Sequence, residues 1–182
     1  MISKIGMSFD KYLEEMKEID AVILDPPWNF DNKSPKITAV IGFKIWDDNK
    51  KNLELIFQKI KTKCIFVYVT ASFLPIFFEI NLHGFSYKTC LTWVKLTKSK
   101  EVFKGMGFWF KNSCEYILVF TKNGARPLHS NIETAVFEEV TKSAQTQKPK
   151  KFESRLINNL YDMEYRKLTY LFSGSFVDYD IP

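Results

Sequence analysis

Two rhythms of apolar residues alternate along the chain. Short continuous runs, Ala21-Val22-Ile23-Leu24 and the stretch from Cys64 to Thr70, read as strands buried on both faces. Elsewhere apolar residues recur at helical spacing. Phe9, Tyr12, Leu13 and Met16 line one side of a first helix, with Ser8 as its candidate N-cap, and "NLELIFQKI" gives a second. "SFLPIFFEINLHG" reads as a third, with Pro75 near its first turn and Gly84 as its stop. "FSYKTCLTWVK" alternates as a strand, and "EYILVFTKNG" is a further strand ending in an Asn123-Gly124 turn. "TAVFEEV" fits an edge strand, "KPKKFESRLINNL" a helix after a proline start, and "KLTYLFSGS" a last strand running into a turn of small residues. Residues 29–48 have no clear period and read as a long loop. Strands alternating with helices imply an α/β sheet with helices on both faces. No repeat or linker divides the sequence, so one domain is expected over residues 1–182.

In such sheets ligands bind beyond the carboxyl ends of the strands. The first buried run ends there in Asp25-Pro26-Pro27-Trp28. The prolines fix φ, remove two N–H donors and forbid a helix start at Asp25 or Pro26. A carboxylate and a stiffened carbonyl are two acceptors side by side, next to an aromatic ring. That set suits an exocyclic nucleobase amine. Its lone pair is delocalised into the ring, and two acceptors on its N–H bonds draw the nitrogen toward the tetrahedral geometry that methylation needs. On this reading Asp25 and the Pro26 carbonyl are the acceptors, Pro27 the stiffener and Trp28 the surface on which the base stacks. The base must leave its stack unless the strand is already single. The plain alternative is a strand-ending turn around a partly buried tryptophan.

Composition narrows the classes. The chain has 182 residues, 46% hydrophobic and 26% charged, which suits one globular domain. Aromatics reach 16%, with 17 Phe, and leave rings available for stacking on bases. The net charge of +5 favours a polyanionic partner such as nucleic acid, against the plain alternative of a solvated lysine surface. Cys64, Cys90 and Cys114 are far apart with no C-x-x-C pair; Cys64 and Cys90 read as reduced core residues, and no metal site or disulfide is expected. The opening residues are too polar for a signal peptide, and the longest apolar runs are far short of a membrane span. A cytoplasmic, intracellular protein is expected.

The DPPW run after a buried strand resembles the MT-A70 family of S-adenosylmethionine-dependent adenine N6-methyltransferases. More widely it is similar to permuted amino-methyltransferases, in which the catalytic motif precedes the cofactor motif. "WDDNKKNLELI", "GFSYKTCLTWVK", "GMGFWFKNSCEYILVFTKNG", "TQKPKKFESRLINNL" and "YLFSGS" agree with the family in order, over roughly residues 20–175. The resemblance implies a Rossmann-like methyltransferase sheet, S-adenosylmethionine as donor and a nucleic-acid adenine as acceptor. DNA is favoured over RNA, because the sequence shows no zinc finger or basic arm.

Further site residues follow from the motif order. Phe172, Ser173, Gly174 and Ser175 form the turn expected to approach the cofactor, together with Asp25. Lys148 is a candidate for the cofactor or a phosphate. Lys111 and Asn112, in the second active-site loop, are candidates for the cofactor carboxylate or the target strand. Lys33, Lys36 and Lys44 flank the first loop as phosphate contacts. Glu115 opens a strand, where an acid is unusual, and is expected to orient the loop before it. His83 and His129 read as structural or exposed. The family usually continues with a helix and an acid-bearing strand for the ribose, whereas this sequence runs only to "FVDYDIP". Ribose contacts are therefore expected from Asp178 or Asp180, from Met7 and Ser8, or from another chain. A bare sheet edge at this short C-terminus would favour a homodimer or a second methyltransferase-like subunit. Two other classes remain open: a non-catalytic nucleic-acid-binding subunit, and an unrelated Rossmann-like nucleotide-binding protein.

Overall fold

Eight strands form one mixed sheet in the computed structural model, which describes residues 2–3, 9–30, 47–105, 107, 109–122, 125, 135–140, 148–162, 165–172 and 175–180. They are β1 (Ile2–Ser3), β2 (Ile19–Asp25), β3 (Thr62–Val69), β4 (Ser86–Leu96), β5 (Cys114–Thr121), β6 (Val136–Val140), β7 (Lys167–Phe172) and β8 (Ser175–Asp180). Their spatial order is β1-β8-β7-β2-β3-β5-β4-β6. The apolar run of β2 lies at the centre, parallel to β3 on one side and to β7 on the other. Its residues are buried on both faces of the sheet, which is why it shows no alternation. The carboxyl ends of β2, β3 and β7 therefore meet at one rim, where the strand order reverses. β5 runs antiparallel to β3, so its first residues lie at the same rim: Val69 pairs with Tyr116.

Helices cover both faces, and each face has its own apolar core. On one face α1 (Phe9–Glu15) and α2 (Asn49–Lys59) contribute Tyr12, Leu13, Leu53, Ile56 and Phe57, packed against Val22, Leu24, Val67 and Leu171. On the other, α3 (Lys150–Asp162) lays Leu156 and Leu160 over Ile23, Phe66, Tyr68, Ile117 and Tyr170. Asp48 caps α2, accepting from the Lys51 N–H at 3.0 Å. This is the α/β, Rossmann-like arrangement expected. Among the described residues no helix is long and apolar enough to cross a membrane.

Three expectations change. The segment around Pro75 is a 3₁₀ helix over Ala71–Phe78, not an α-helix. Pro75 lies inside it, where the missing N–H and the ring's clash with the preceding turn oppose α geometry. β7 is not the last strand: β8 pairs with it antiparallel, and β1 pairs with β8. The edge beside β7 is thus filled, and a dimer inferred from a bare edge there loses that support. β8 also runs away from the rim. Asp178 pairs with Thr169 and Asp180 with Lys167. At ~3.4 Å per residue, the backbone of Asp180 lies more than ~15 Å from the rim end of β7 and that of Asp178 about 10 Å from it. The long loop over 29–48 and the Asn123-Gly124 turn fall mostly or wholly outside the described residues.

Candidate active site

Four charged side chains interlock at the rim, on the face covered by α3. Asp25 ends β2. Lys148, just before α3, brings its ammonium to 3.0 Å from the Asp25 carboxylate and 3.1 Å from Glu115, the second residue of β5. Lys95 of β4 closes the row on the other Glu115 oxygen. All four are largely buried; Asp25 is the most open, with 21% of its side chain exposed. The two carboxylates are not equivalent. Burial pushes both up, but Lys148 and Lys95 together hold Glu115 below its ordinary range. Burial is the largest influence on Asp25; its ion pair with Lys148 and the weaker pull of Lys95 oppose it, the field of Glu115 adds to it, and its pKa stays raised. Burial disfavours the Lys148 ammonium, and the two carboxylates more than offset it. Asp25 is the under-neutralised member of the row, an acceptor with capacity left for a ligand donor.

Around this row lie groups of the same face. The Lys148 ammonium sits over the Tyr68 ring, 4.6 Å from its centre. Tyr68 Oη and Thr70 Oγ1 are buried, with no hydrogen-bond partner among the described residues. Glu153, in the first turn of α3, has its carboxyl pushed up to about 7 by burial, with Lys148 opposing and Asp25 adding to the rise.

The motif's other end turns to the opposite face. Trp28 N–H donates to the Pro26 carbonyl at 2.9 Å, a tight turn centred on Pro27. One lone pair of that carbonyl is thereby used and one remains. The turn sends the indole into the first core. It stacks on Phe73 at 4.8 Å and 13°, meets Phe77 edge-on, and donates from Nε1 to the Tyr68 carbonyl at 3.3 Å. Trp28 is only 7% exposed. The expected open wall for a stacked base is instead a core tryptophan. Asn29 and Asn49 then exchange hydrogen bonds, each 3.0 Å, between backbone and side chain amide, tying the turn to the start of α2.

Comparison with known proteins bears on this rim. The family model MT-A70 matches residues 19–176. The chain belongs to the MT-A70 family. Among solved structures it is similar to the crystal structure of M1.HpyAVI, with a TM-score of 0.51 and 16% identity over 80% of this chain. The chain spans 66% of that structure's length, and the likeness is one of fold. A search of curated protein sequences gives no match.

The MT-A70 match takes in both sides of the rim. Asp25 and Phe172 are paired residues of adjacent strands, and Phe172 closes a hairpin on Ser175. Phe172 and Ser175, the two ends of the candidate cofactor turn, therefore lie at the same end of the sheet as Asp25; Ser173 and Gly174 are outside the described residues. Lys148 is brought to Asp25. Glu115 joins them and orients Lys148 and Lys95, more than the loop before it. Lys111 and Asn112 are exposed, and the Asn112 carbonyl accepts from Gly105 N–H at 2.8 Å. Met7, Ser8, Lys33, Lys36 and Lys44 lie outside the described residues. Sequence reasoning did not single out Lys95, Tyr68 or Glu153. The signal for Glu153 was present: it shares a helical stripe with Leu156 and Leu160. Lys95 likewise alternates in step with Trp93 and Leu91.

Proposed function

We propose that this MT-A70 chain transfers a methyl group from S-adenosylmethionine to the N6 amine of adenine in nucleic acid, with DNA preferred over RNA. The observation that carries this reading is the under-neutralised carboxylate of Asp25 at the switch point of the sheet, next to the stiffened Pro26 carbonyl. S-adenosylmethionine supplies an electrophilic methyl on a sulfonium. The residues of the rim fit such a donor: Asp25 offers an anionic acceptor for its cationic end, and Tyr68 Oη and Thr70 Oγ1 are buried hydroxyls with no partner among the described residues. Asp25 and the free lone pair of the Pro26 carbonyl accept the two N6–H bonds and draw the nitrogen lone pair out of the ring. The methyl would pass to N6 as the S–CH₃ bond breaks and the sulfonium leaves as a neutral thioether, and N6 would then carry one proton too many. Asp25, its pKa already raised, takes that proton at its carboxylate. Lys148 positions Asp25 and favours its ionised form beforehand, and Glu115 holds Lys148 in place.

Nucleoside mass spectrometry of DNA and RNA incubated with the pure chain and S-adenosylmethionine tests the reading. N6-methyladenine in DNA above that in RNA is the expected result. Cofactor binding with no methyl transfer, restored by adding a second methyltransferase-like chain, would instead make this chain a non-catalytic subunit.

A further inference from the structure

The connection between β4 and β5 leaves the rim from Lys95 and returns to it at Glu115, the two residues that complete the Asp25 row. It is a built ribbon. Thr97 N–H donates to the Glu101 carbonyl, Phe103 N–H to the Lys95 carbonyl and Gly105 N–H to the Asn112 carbonyl, each at 2.8 Å. At its tip the chain folds back so tightly that a Cβ on Gly107 would lie 1.9 Å from the Phe110 carbonyl oxygen. Only glycine fits there. What this backbone presents is two adjacent rings turned out to solvent: Trp109 is 94% exposed and Phe110 87%. Lys98, Lys100, Lys104 and Lys111 are exposed on the same ribbon, with Glu101 its sole acid.

We infer that this ribbon holds a single-stranded segment of nucleic acid at the rim, with bases stacked on Trp109 and Phe110 and phosphates on the surrounding lysines. The inference rests on the adenine-methylating reading above and adds the strandedness of the substrate and the element that grips it. The chemistry is that of a sequence-tolerant single-strand site, in which every base offers a ring face and cations follow the backbone. Two large exposed rings on a fixed tip call for a flat apolar occupant. Four exposed lysines on the same connection select one whose backbone is anionic. A strand held there passes Lys95 and Glu115 on its way to Asp25.

The test is fluorescence anisotropy of the full chain with end-labelled oligoadenylates, deoxy and ribo, an abasic oligonucleotide of equal charge, and a duplex. The variant W109A/F110A is compared with wild type, and Phe78→Ala is the control for an exposed aromatic elsewhere (Phe78 is 90% exposed). The expected result is binding to single strands that the double variant weakens by about tenfold or more. Affinity for the abasic strand stays equal in both proteins, and Phe78→Ala has no effect. The deoxy and ribo arms tell which sugar the ribbon prefers. Unchanged affinity in W109A/F110A, equal loss on the abasic strand, or tighter binding of wild type to duplex overturns the inference. So does conversion of a wild-type dimer to a monomer by the double variant, which would make the tip a self-association surface. Methyl transfer unaffected by the double variant sinks the inference and leaves the enzyme reading intact. Base-dependent binding lost in the variant, with no methyl transfer by wild type, does the reverse.

Discussion

Asp25 and Trp28 are three residues apart in one motif, yet they serve opposite faces of the sheet. Asp25 joins a row of buried charges under the start of α3. Trp28 enters an apolar pocket of Phe73 and Phe77 on the side of α1 and α2. The two environments obey different physics. The charged side stays deliberately unbalanced: two ammonium groups favour Glu115 and leave Asp25 with a raised pKa. The apolar side is closed, with the indole N–H satisfied and one ring face covered. On the proposed function, the motif divides into a reactive half and a structural half, with the prolines as the divider.

The largest expected effect breaks the structural half. Trp28→Ala removes a buried ring and its stacking partner, and should cost about 3–5 kcal/mol of stability. A thermal melt shows this as a large fall in melting temperature, with Trp28→Phe keeping most of it. A Trp28→Ala protein that melts like wild type would return the indole to the reactive half. Asp25→Asn breaks the other half. It should lower methyl transfer by roughly 10²–10³-fold, the size of effect seen when one acceptor or donor aimed at the transition state is lost. Its melting temperature should hardly change, because Lys148 keeps Glu115. Comparing the two variants by rate and by melt is the sharpest check of the division.

Lys148→Met probes the balance within the charged half. Without the shared ammonium both carboxylates titrate upward. The acid limb of the pH–rate profile should move to higher pH, while a purely structural lysine would lower the rate at every pH alike. Glu153→Gln gives the smallest effect, and a stabilising one. The folded protein holds the Glu153 proton up to about 7, against 4.5 for an ordinary glutamate. Between those values the folded state binds more protons than the unfolded one, so stability falls as pH rises through this window. Above it the ionised carboxyl, which is partly solvated, costs about 1–2 kcal/mol. Glu153→Gln should therefore melt higher than wild type at pH 8 and equal to it near pH 4. Paired melts at the two pH values decide it.

Much of the fold was legible because burial on both faces leaves a plain mark. The runs of β2 and β3 are continuous and apolar, and the stripe of α3 is regular. β8 was not legible. Asp178 and Asp180 interrupt its apolar residues, and a proline closes it, so nothing in "FVDYDIP" distinguishes an edge strand from a tail. The 3₁₀ geometry around Pro75 was hidden for a related reason: helical spacing looks alike in short α and 3₁₀ segments. At the site, Asp25, Glu115 and Lys148 each stood out by type and position. Their meeting depended on register, Val69 beside Tyr116 and Asp25 beside Phe172, which no local pattern encodes. The direction of Trp28 depended on how the chain leaves a double proline, and that is set by which pocket is available to fill.

The paired amides of Asn29 and Asn49 carry one more consequence. They fasten together the two ends of the stretch that separates the motif from α2, so the motif's geometry is closed off before that stretch begins. The entropy of closing a loop grows only slowly with its length. Segments of other lengths and compositions can therefore be spliced between the two asparagines without disturbing Asp25. The two asparagines thus mark the points between which an engineered insertion would cost the motif least.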